Sequence, residues 1–321
     1  MTQLDRRLRA QRPAKKPIDP WRPIGFEREL ELTPEGRLEQ ALTIFLAGRE
    51  CAFTCIFCDL WQYTIDEPTP VGAIAAQIEQ GLRHDRRQNE APVESVKLYN
   101  ASNFFDDLAV PPADDDKILE LVRRIPRVIV ECHARLVGER CERYARRLNA
   151  AGSRLEVAVG FETVHPKALA ALNKRVDVDQ LESAAARLRT IDADLRAFVL
   201  IGVPFIDGSE QLAWIQRTVE TALEAGARLV SLIPLRADEG ELQRLERQGV
   251  WRPPGLDEVE AAFETARALA PTRVRLDTWD LERLAPDATQ EPRIEALRLA
   301  QLEWPVSPAE VGGGELGGAP S

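Results

Sequence analysis

The chain is 321 residues long, enough on a prior of about 150 residues per domain for two domains or for one large α/β barrel with flanking arms. Its 44% hydrophobic, 29% charged and 6% aromatic residues are those of an ordinary globular protein with a sizeable core, which excludes global disorder, collagen and coiled coil. Asp and Glu outnumber Lys and Arg 52 to 42, and the resulting net charge of −10 excludes nucleic-acid binding by bulk charge, though not through a local basic patch.

In chain order, Met1 to about Pro23 is rich in Arg, Lys and Pro and shows no apolar periodicity. It reads as an extended arm, part of a basic segment 1–40, and is either a solvated tail or a nucleic-acid contact. No apolar leader precedes it, and the longest apolar run, Leu195 to Ile206, is shorter than a membrane span and contains Arg196. The expectation is a cytoplasmic protein with no membrane partner. From residue 41, short β-branched runs alternate with helical patterns. The runs are Leu42 to Gly48, Val93 to Asn100, Arg127 to Cys132, Arg154 to Gly160, Arg196 to Gly202 and Arg228 to Pro234. Thr69-Pro70 predicts a helix start, and Gly152 and Gly226 predict helix stops. Six βα units give parallel strands with right-handed crossovers, and Arg273 to Trp279 is a candidate seventh strand. The fold class is α/β, a partial (β/α)6 TIM-like barrel over residues 41–284 or an open parallel sheet. Residues 285–321 form a C-terminal extension whose Gly-rich end, Trp304 to Ser321, is expected to be disordered.

In such folds chemistry collects at the C-terminal ends of the strands. The unusual residues fall there: Cys51, Cys55 and Cys58 after the first strand, Asn100 and Ser102 after the second, Glu131 and His133 at the third, Glu162 after the fourth, Gly202 and Pro204 after the fifth. The segment RECAFTCIFCDLW has C-x3-C-x2-C spacing. Three of five cysteines within eight residues point to metal chemistry in a reducing compartment. A four-iron cluster held by three thiolates keeps one iron open to a ligand. A structural zinc site needs a fourth Cys or His, and His84, His133 and His165 all lie outside C-x-x-H reach; Cys132 and Cys141 read as buried apolar residues.

With Phe57 before its last cysteine, this motif resembles the radical S-adenosylmethionine signature. The resemblance implies a [4Fe-4S] cluster on Cys51, Cys55 and Cys58, S-adenosylmethionine chelated to its open iron, and reductive cleavage to a 5′-deoxyadenosyl radical that abstracts hydrogen from substrate. A reductant such as flavodoxin or ferredoxin is implied with it. The family's Gly-Gly-Glu after the second strand is here Asn100-Ala101-Ser102, so the resemblance implies a cofactor contact there from backbone carbonyls or from Asn100 and Ser102. GFET, from Gly160, is similar to the segment whose carboxylate meets the cofactor, which nominates Glu162; LIGVP, with Gly202, is similar to the strand that lies along the adenine. Arg196 either reaches the cofactor carboxylate or lies at the closed end.

The likeness runs from about Leu42 to Leu281 and is nearest the branch of the Elongator catalytic subunit and the methylthiotransferases, within it the archaeosine-forming radical enzymes. The segments that carry it are LAGRECAFTCIFCDLW, KLYNASNFFD, VIVECHARLVGERC, GFETVHPKALAALNKR and FVLIGVPF. It implies a modified nucleoside in tRNA as substrate, with a small metabolite as the alternative; a non-catalytic zinc or iron–sulfur scaffold is the rival from another class. Too few cysteines remain for a second, sulfur-donating cluster, and no acetyltransferase domain follows. For catalysis, His133 is placed to relay a proton and Arg135 to hold an anion beside Glu131. The bland alternative pairs Glu131 with Arg135 and makes His133 a helix cap. His165 reads as a helix-start residue, and Lys174 and Arg175 as a small basic patch, solvated or facing a phosphate.

Overall fold

The computed structural model describes residues 2–236, 239–285 and 288–303, so the Gly-rich segment from Trp304 lies outside the described residues. The first element is a helix, α1 (Gln3–Ala10), inside the segment read as an extended arm. Its start was encoded: Thr2 accepts from Asp5 N while Asp5 accepts from Thr2 N, a capping box, and Leu4 and Leu8 share one face. Then β1 (Gly25–Leu32) runs antiparallel to β2 (Leu38–Leu46). A two-residue ladder, β3 (Gly48–Arg49) with β4 (Thr64–Ile65), closes the loop that follows β2.

The rest is a regular βα succession. Helix α2 (Ala73–Gln88) leads to β5 (Ser95–Asn100), α3 (Asp115–Val122) to β6 (Arg127–Glu131), and α4 (Glu139–Ala150) to β7 (Arg154–Glu162). Helices α5 (Pro166–Ala171) and α6 (Val178–Thr190) precede β8 (Asp194–Ile201), α7 (Gln211–Glu224) precedes β9 (Leu229–Pro234), and α8 (Glu241–Arg247) and α9 (Leu256–Leu269) precede β10 (Val274–Leu276); α10 (Glu291–Ala300) follows. The sheet order is β1-β2-β5-β6-β7-β8-β9-β10, with every neighbouring pair parallel except β1–β2. The candidate seventh strand is therefore real, and β1 adds an eighth that belongs to no βα unit.

Side-chain reach shows the curl. In a flat sheet β1 and β8 would stand roughly 24 Å apart, five spacings of about 4.8 Å. Yet Arg196 on β8 bonds Glu31 on β1 at 2.6 Å, and Arg275 on β10 donates to the Leu32 carbonyl of β1 at 2.9 Å. The strands wrap into a partial barrel. Alternation assigns the two faces: Ile44, Leu98, Val130, Val157 and Val199 join the helices in the main hydrophobic core, whereas Glu31, Lys97, Glu156 and Arg196 point inward. Among the described residues no helix is long and apolar enough to cross a membrane.

Candidate functional site

The β3–β4 ladder and a bond from Glu50 N to Ile65 O (3.0 Å) pin the base of the cysteine loop, while Ile56 N donates to Leu172 O (3.0 Å) at the end of α5. Cys51, Cys55 and Cys58 are all unbridged. Cys51 Sγ accepts from Phe53 N (3.4 Å) and Asn103 Nδ2 (3.2 Å), and Asn103 Oδ1 accepts from His133 N (2.7 Å). Asn103 thus couples the loops after β2, β5 and β6. Burial pushes the Cys51 thiol up, Cys55 up to about 12, and Cys58 higher still, the neighbouring thiols adding to the effect at Cys58. A metal bound by these thiols would have to displace their protons through its own charge.

Residues from the next strands converge on this loop. Asn100 is 4% exposed, and both its Oδ1 and Nδ2 are buried without a partner, as is Ser102 Oγ. Buried polar groups are rarely left so in native proteins without a ligand or water to meet them. Glu162 sits at a bulge in β7 with a left-handed backbone (φ 57°), and its carboxylate pairs with Lys174 Nζ. Burial lowers the Lys174 pKa, but the Glu162 carboxylate together with Cys55 and Cys51 raises it overall. A Cβ on Gly160 would overlap both partners, so only glycine admits the pair. Lys174 Nζ also stands 5.9 Å from the centre of the Phe57 ring. Gly202 (φ 80°) would place a Cβ 2.7 Å from Pro254 Cδ, and its carbonyl accepts from Trp251 Nε1 (2.6 Å).

His133 has both nitrogens committed. Nδ1 accepts from Arg135 N (3.2 Å), so Nε2 carries the proton it gives to Lys174 O (2.9 Å). Burial, then the nearby Lys174 charge, lowers its pKa to about 4. Its ring stacks on Phe53 (3.8 Å, 6°). The neutral imidazole therefore caps its own turn and props the cysteine loop, the arrangement of a support rather than a free proton relay. Glu131 behaves differently: burial raises its carboxyl to about 8 against the pull of Lys174. Arg135 is exposed, and no ion pair joins it to Glu131.

Two expectations need correcting. Arg196 does not reach the site. It lies at the closed end, near the N-terminal start of β8 and on its inward face, held by Glu156 (2.5 Å) and Glu31 (2.6 Å). Lys174 and Arg175 form no solvated patch: Lys174 is buried on Glu162, and Arg175 pairs with Asp5 of α1. His165 does start α5, its Nδ1 accepting from Ala168 N (3.1 Å). Sequence reasoning missed Asn103, Asp5, Thr54 and Asn173. Only the T-x-x-D capping signal at Thr2–Asp5 was available to find any of them.

No family model matches the chain. It is 24% identical over 242 residues to archaeosine synthase subunit beta of Methanosarcina acetivorans, covering 72% of this chain and 68% of that protein. An uncharacterised protein of Methanocaldococcus jannaschii is 20% identical over 253 residues, 75% of this chain and 68% of that one. Among solved structures, N-terminally truncated Elp3 of Methanocaldococcus infernus superposes with a TM-score of 0.54 at 11% identity, over 72% of this chain but only 60% of that one. Methylornithine synthase superposes at 0.53 and 14% identity, over 82% of this chain and 69% of that one.

The chain shares the partial-barrel fold of these two solved structures. On that barrel the three cysteines, Asn100, Ser102, Glu162 and Gly202 lie at or after the C-terminal ends of their strands, with Arg196 at the other end.

Proposed function

We propose that the chain is a radical S-adenosylmethionine enzyme with residues 41–284 as its catalytic core, acting on a nucleoside in tRNA. The observation that carries this reading is that a C-x3-C-x2-C loop of three free thiols and the unpartnered side chains of Asn100 and Ser102 follow adjacent strands at the same end of the barrel, where Asn103 bonds Cys51. Cys51, Cys55 and Cys58 would hold a [4Fe-4S] cluster and leave one iron for the cofactor. Cluster and cofactor together supply one-electron cleavage of S-adenosylmethionine to methionine and a hydrogen-abstracting 5′-deoxyadenosyl radical.

The protein's own residues bind and shield. Asn100 and Ser102 offer an acceptor and donors suited to an α-amino acid group. The Glu162 carboxylate, paired with Lys174 Nζ at the bulge in β7, would meet hydroxyl or ammonium hydrogens of the cofactor. Gly202 and Phe57 contribute flat, apolar surface for a base. Glu131, neutral below about pH 8, is a hydrogen-bond donor close to the same rim. The tRNA assignment leans on the sequence likeness to archaeosine synthase subunit beta. It does not lean on the arm, whose Arg9, Arg12 and Lys15 are spent on Glu50 and Asp66. A cytoplasmic setting with flavodoxin or ferredoxin as reductant completes the reading.

The test is anaerobic reconstitution with iron and sulfide, reduction in the presence of S-adenosylmethionine, and chromatography with mass spectrometry for 5′-deoxyadenosine. Formation of that product, increased by bulk tRNA and taking deuterium from labelled tRNA, is the expected result. Cleavage stimulated only by small metabolites would remove the tRNA assignment, and zinc uptake without cleavage would remove the radical chemistry.

A further inference from the structure

The N-terminal helix is fastened to the cysteine loop along its whole length. Asp5 is only 1% exposed, and its carboxylate accepts from Thr54 Oγ1 (2.6 Å), Asn173 Nδ2 (3.2 Å), the Arg175 guanidinium and Thr2 N. Leu8 is buried in a second hydrophobic cluster with Ile56, Leu172 and Trp251. Arg9 donates to Cys51 O (3.4 Å), and Arg9, Arg12 and Lys15 converge on Glu50 at 3.2, 2.8 and 2.7 Å. Arg12 also lies 4.8 Å over the Trp61 ring, and Lys16 N donates to Gln62 O (3.1 Å).

Asp5 ties this strap by hydrogen bonds to both halves of the site. Thr54, between Cys51 and Cys55, is 1% exposed. Asn173 gives its amide to Asp5 and to both Thr54 oxygens (2.9 Å each). Asn173 and Arg175 are both left-handed (φ 55° and 61°), a strained backbone that persists only where surroundings impose it. Between them stands Lys174, whose Nζ holds Glu162 and whose carbonyl takes the His133 proton. One buried carboxylate therefore braces the cysteine spacing and the turn that aims Lys174.

We propose that Asp5 is a positioning residue for the site: through Thr54 it fixes the path of the cysteine loop, and through Asn173 and Arg175 it sets Lys174 on Glu162. The geometric part stands alone, while its meaning for a cluster rests on the radical-enzyme reading.

The test uses the full chain, metal-free and reduced, with iodoacetamide labelling of each cysteine followed by mass spectrometry. Asp5→Ala and, from the loop side, Thr54→Val should each speed labelling of Cys51, Cys55 and Cys58 by about tenfold, the loss expected for a charge-assisted buried hydrogen bond. Asp5→Asn, which keeps an acceptor for Thr54 but loses the Arg175 pair, should fall between. Cys132 and Cys141, buried in the main core, should keep the wild-type rate. Unchanged rates at the three loop cysteines would overturn the proposal, and so would equal acceleration at all five, the mark of general destabilisation. If Asp5→Ala fails to fold, Thr54→Val decides alone. After reconstitution, Asp5→Ala should show a heterogeneous cluster signal by electron paramagnetic resonance at wild-type iron content, and a wild-type-like signal would count against it. A wild-type protein that takes up no iron would sink the radical-enzyme reading, while the labelling result still decides the strap.

Discussion

Both ends of the barrel bury polar groups, but charge pairing dominates at one end and unpaired side chains beside the cysteine loop at the other. At the closed end, Glu156 is fully buried between Arg127 (3.2 Å), Arg196 (2.5 Å) and Arg228 (3.6 Å), and Glu31 takes Lys97 and Arg196. These charges answer one another. At the open end Asn100 and Ser102 have no partner, Glu131 is held neutral, and Glu162, Asn173 and Arg175 are backbone-strained. A satisfied network fixes the register of a fold, whereas unsatisfied groups and strain persist where a ligand completes them. Ser95 Oγ and Arg127 Nε at the closed end are unpartnered too, so the comparison teaches that what marks this site is unpartnered side chains next to the cysteine loop, where Asn103 bonds Cys51.

The largest effect should follow from breaking the open end at its thiols. Cys55→Ala is expected to abolish cluster assembly and S-adenosylmethionine cleavage, read by iron content and 5′-deoxyadenosine, while circular dichroism and the melting temperature stay near wild type. A variant that still binds four irons would disprove the ligand assignment. The closed end should respond in the reverse sense. Glu156→Ala leaves three guanidinium groups around an unbalanced buried site, so stability should drop by about 3–5 kcal/mol in a denaturant titration. A change under about 1 kcal/mol would mean that the floor network is ornamental.

The two ends also differ in how far the sequence disclosed them. The parallel strands were legible because they are near-continuous apolar runs, such as Val128 to Val130 and Val157 to Val159, buried on both faces. Strand β1, GFERELEL, alternates with period two, but its inward residues are Glu27, Glu29 and Glu31 rather than apolar ones. Its pattern resembles a solvated stretch until Lys97 and Arg196 are seen opposite. Helix α1 was hidden for a related reason, since it fully buries only Asp5 and Leu8 and four of its eight residues are Arg or Gln. The cysteines, Asn100, Ser102 and Glu162 could be placed because strand ends define the rim. Asp5 and Asn103 could not, because their partners lie 49 and 52 residues away in the chain.

A pH titration sharpens the contrast at His133, whose stack on Phe53 links the cysteine loop to β6. Its folded pKa, about 4, is depressed below the unfolded value of 6.5. The folded state thus binds fewer protons than the unfolded state between those values, so its contribution is complete above pH 6.5 and is lost as pH falls toward 4. The metal-free protein should lose on the order of 2 kcal/mol of stability across that window, and His133→Gln should flatten the slope. An equal slope in the variant would assign the acid sensitivity elsewhere.

The smallest effect on the fold, and the most discriminating for the site, is expected at Asn100. Its amide is buried yet makes no hydrogen bond, so Asn100→Ala removes a group that stabilises nothing in the free protein and should shift stability by no more than about 1 kcal/mol, in either direction. If that amide meets the amino acid end of the cofactor, the same variant should weaken S-adenosylmethionine binding by about tenfold, the worth of one to two hydrogen bonds to a charged group. Calorimetry on the reconstituted protein reads this directly. A fold left intact with affinity unchanged would show that Asn100 is open for another ligand. A destabilised fold would show that its partner is a buried water belonging to the structure, and would move it from the incomplete end of the barrel to the complete one.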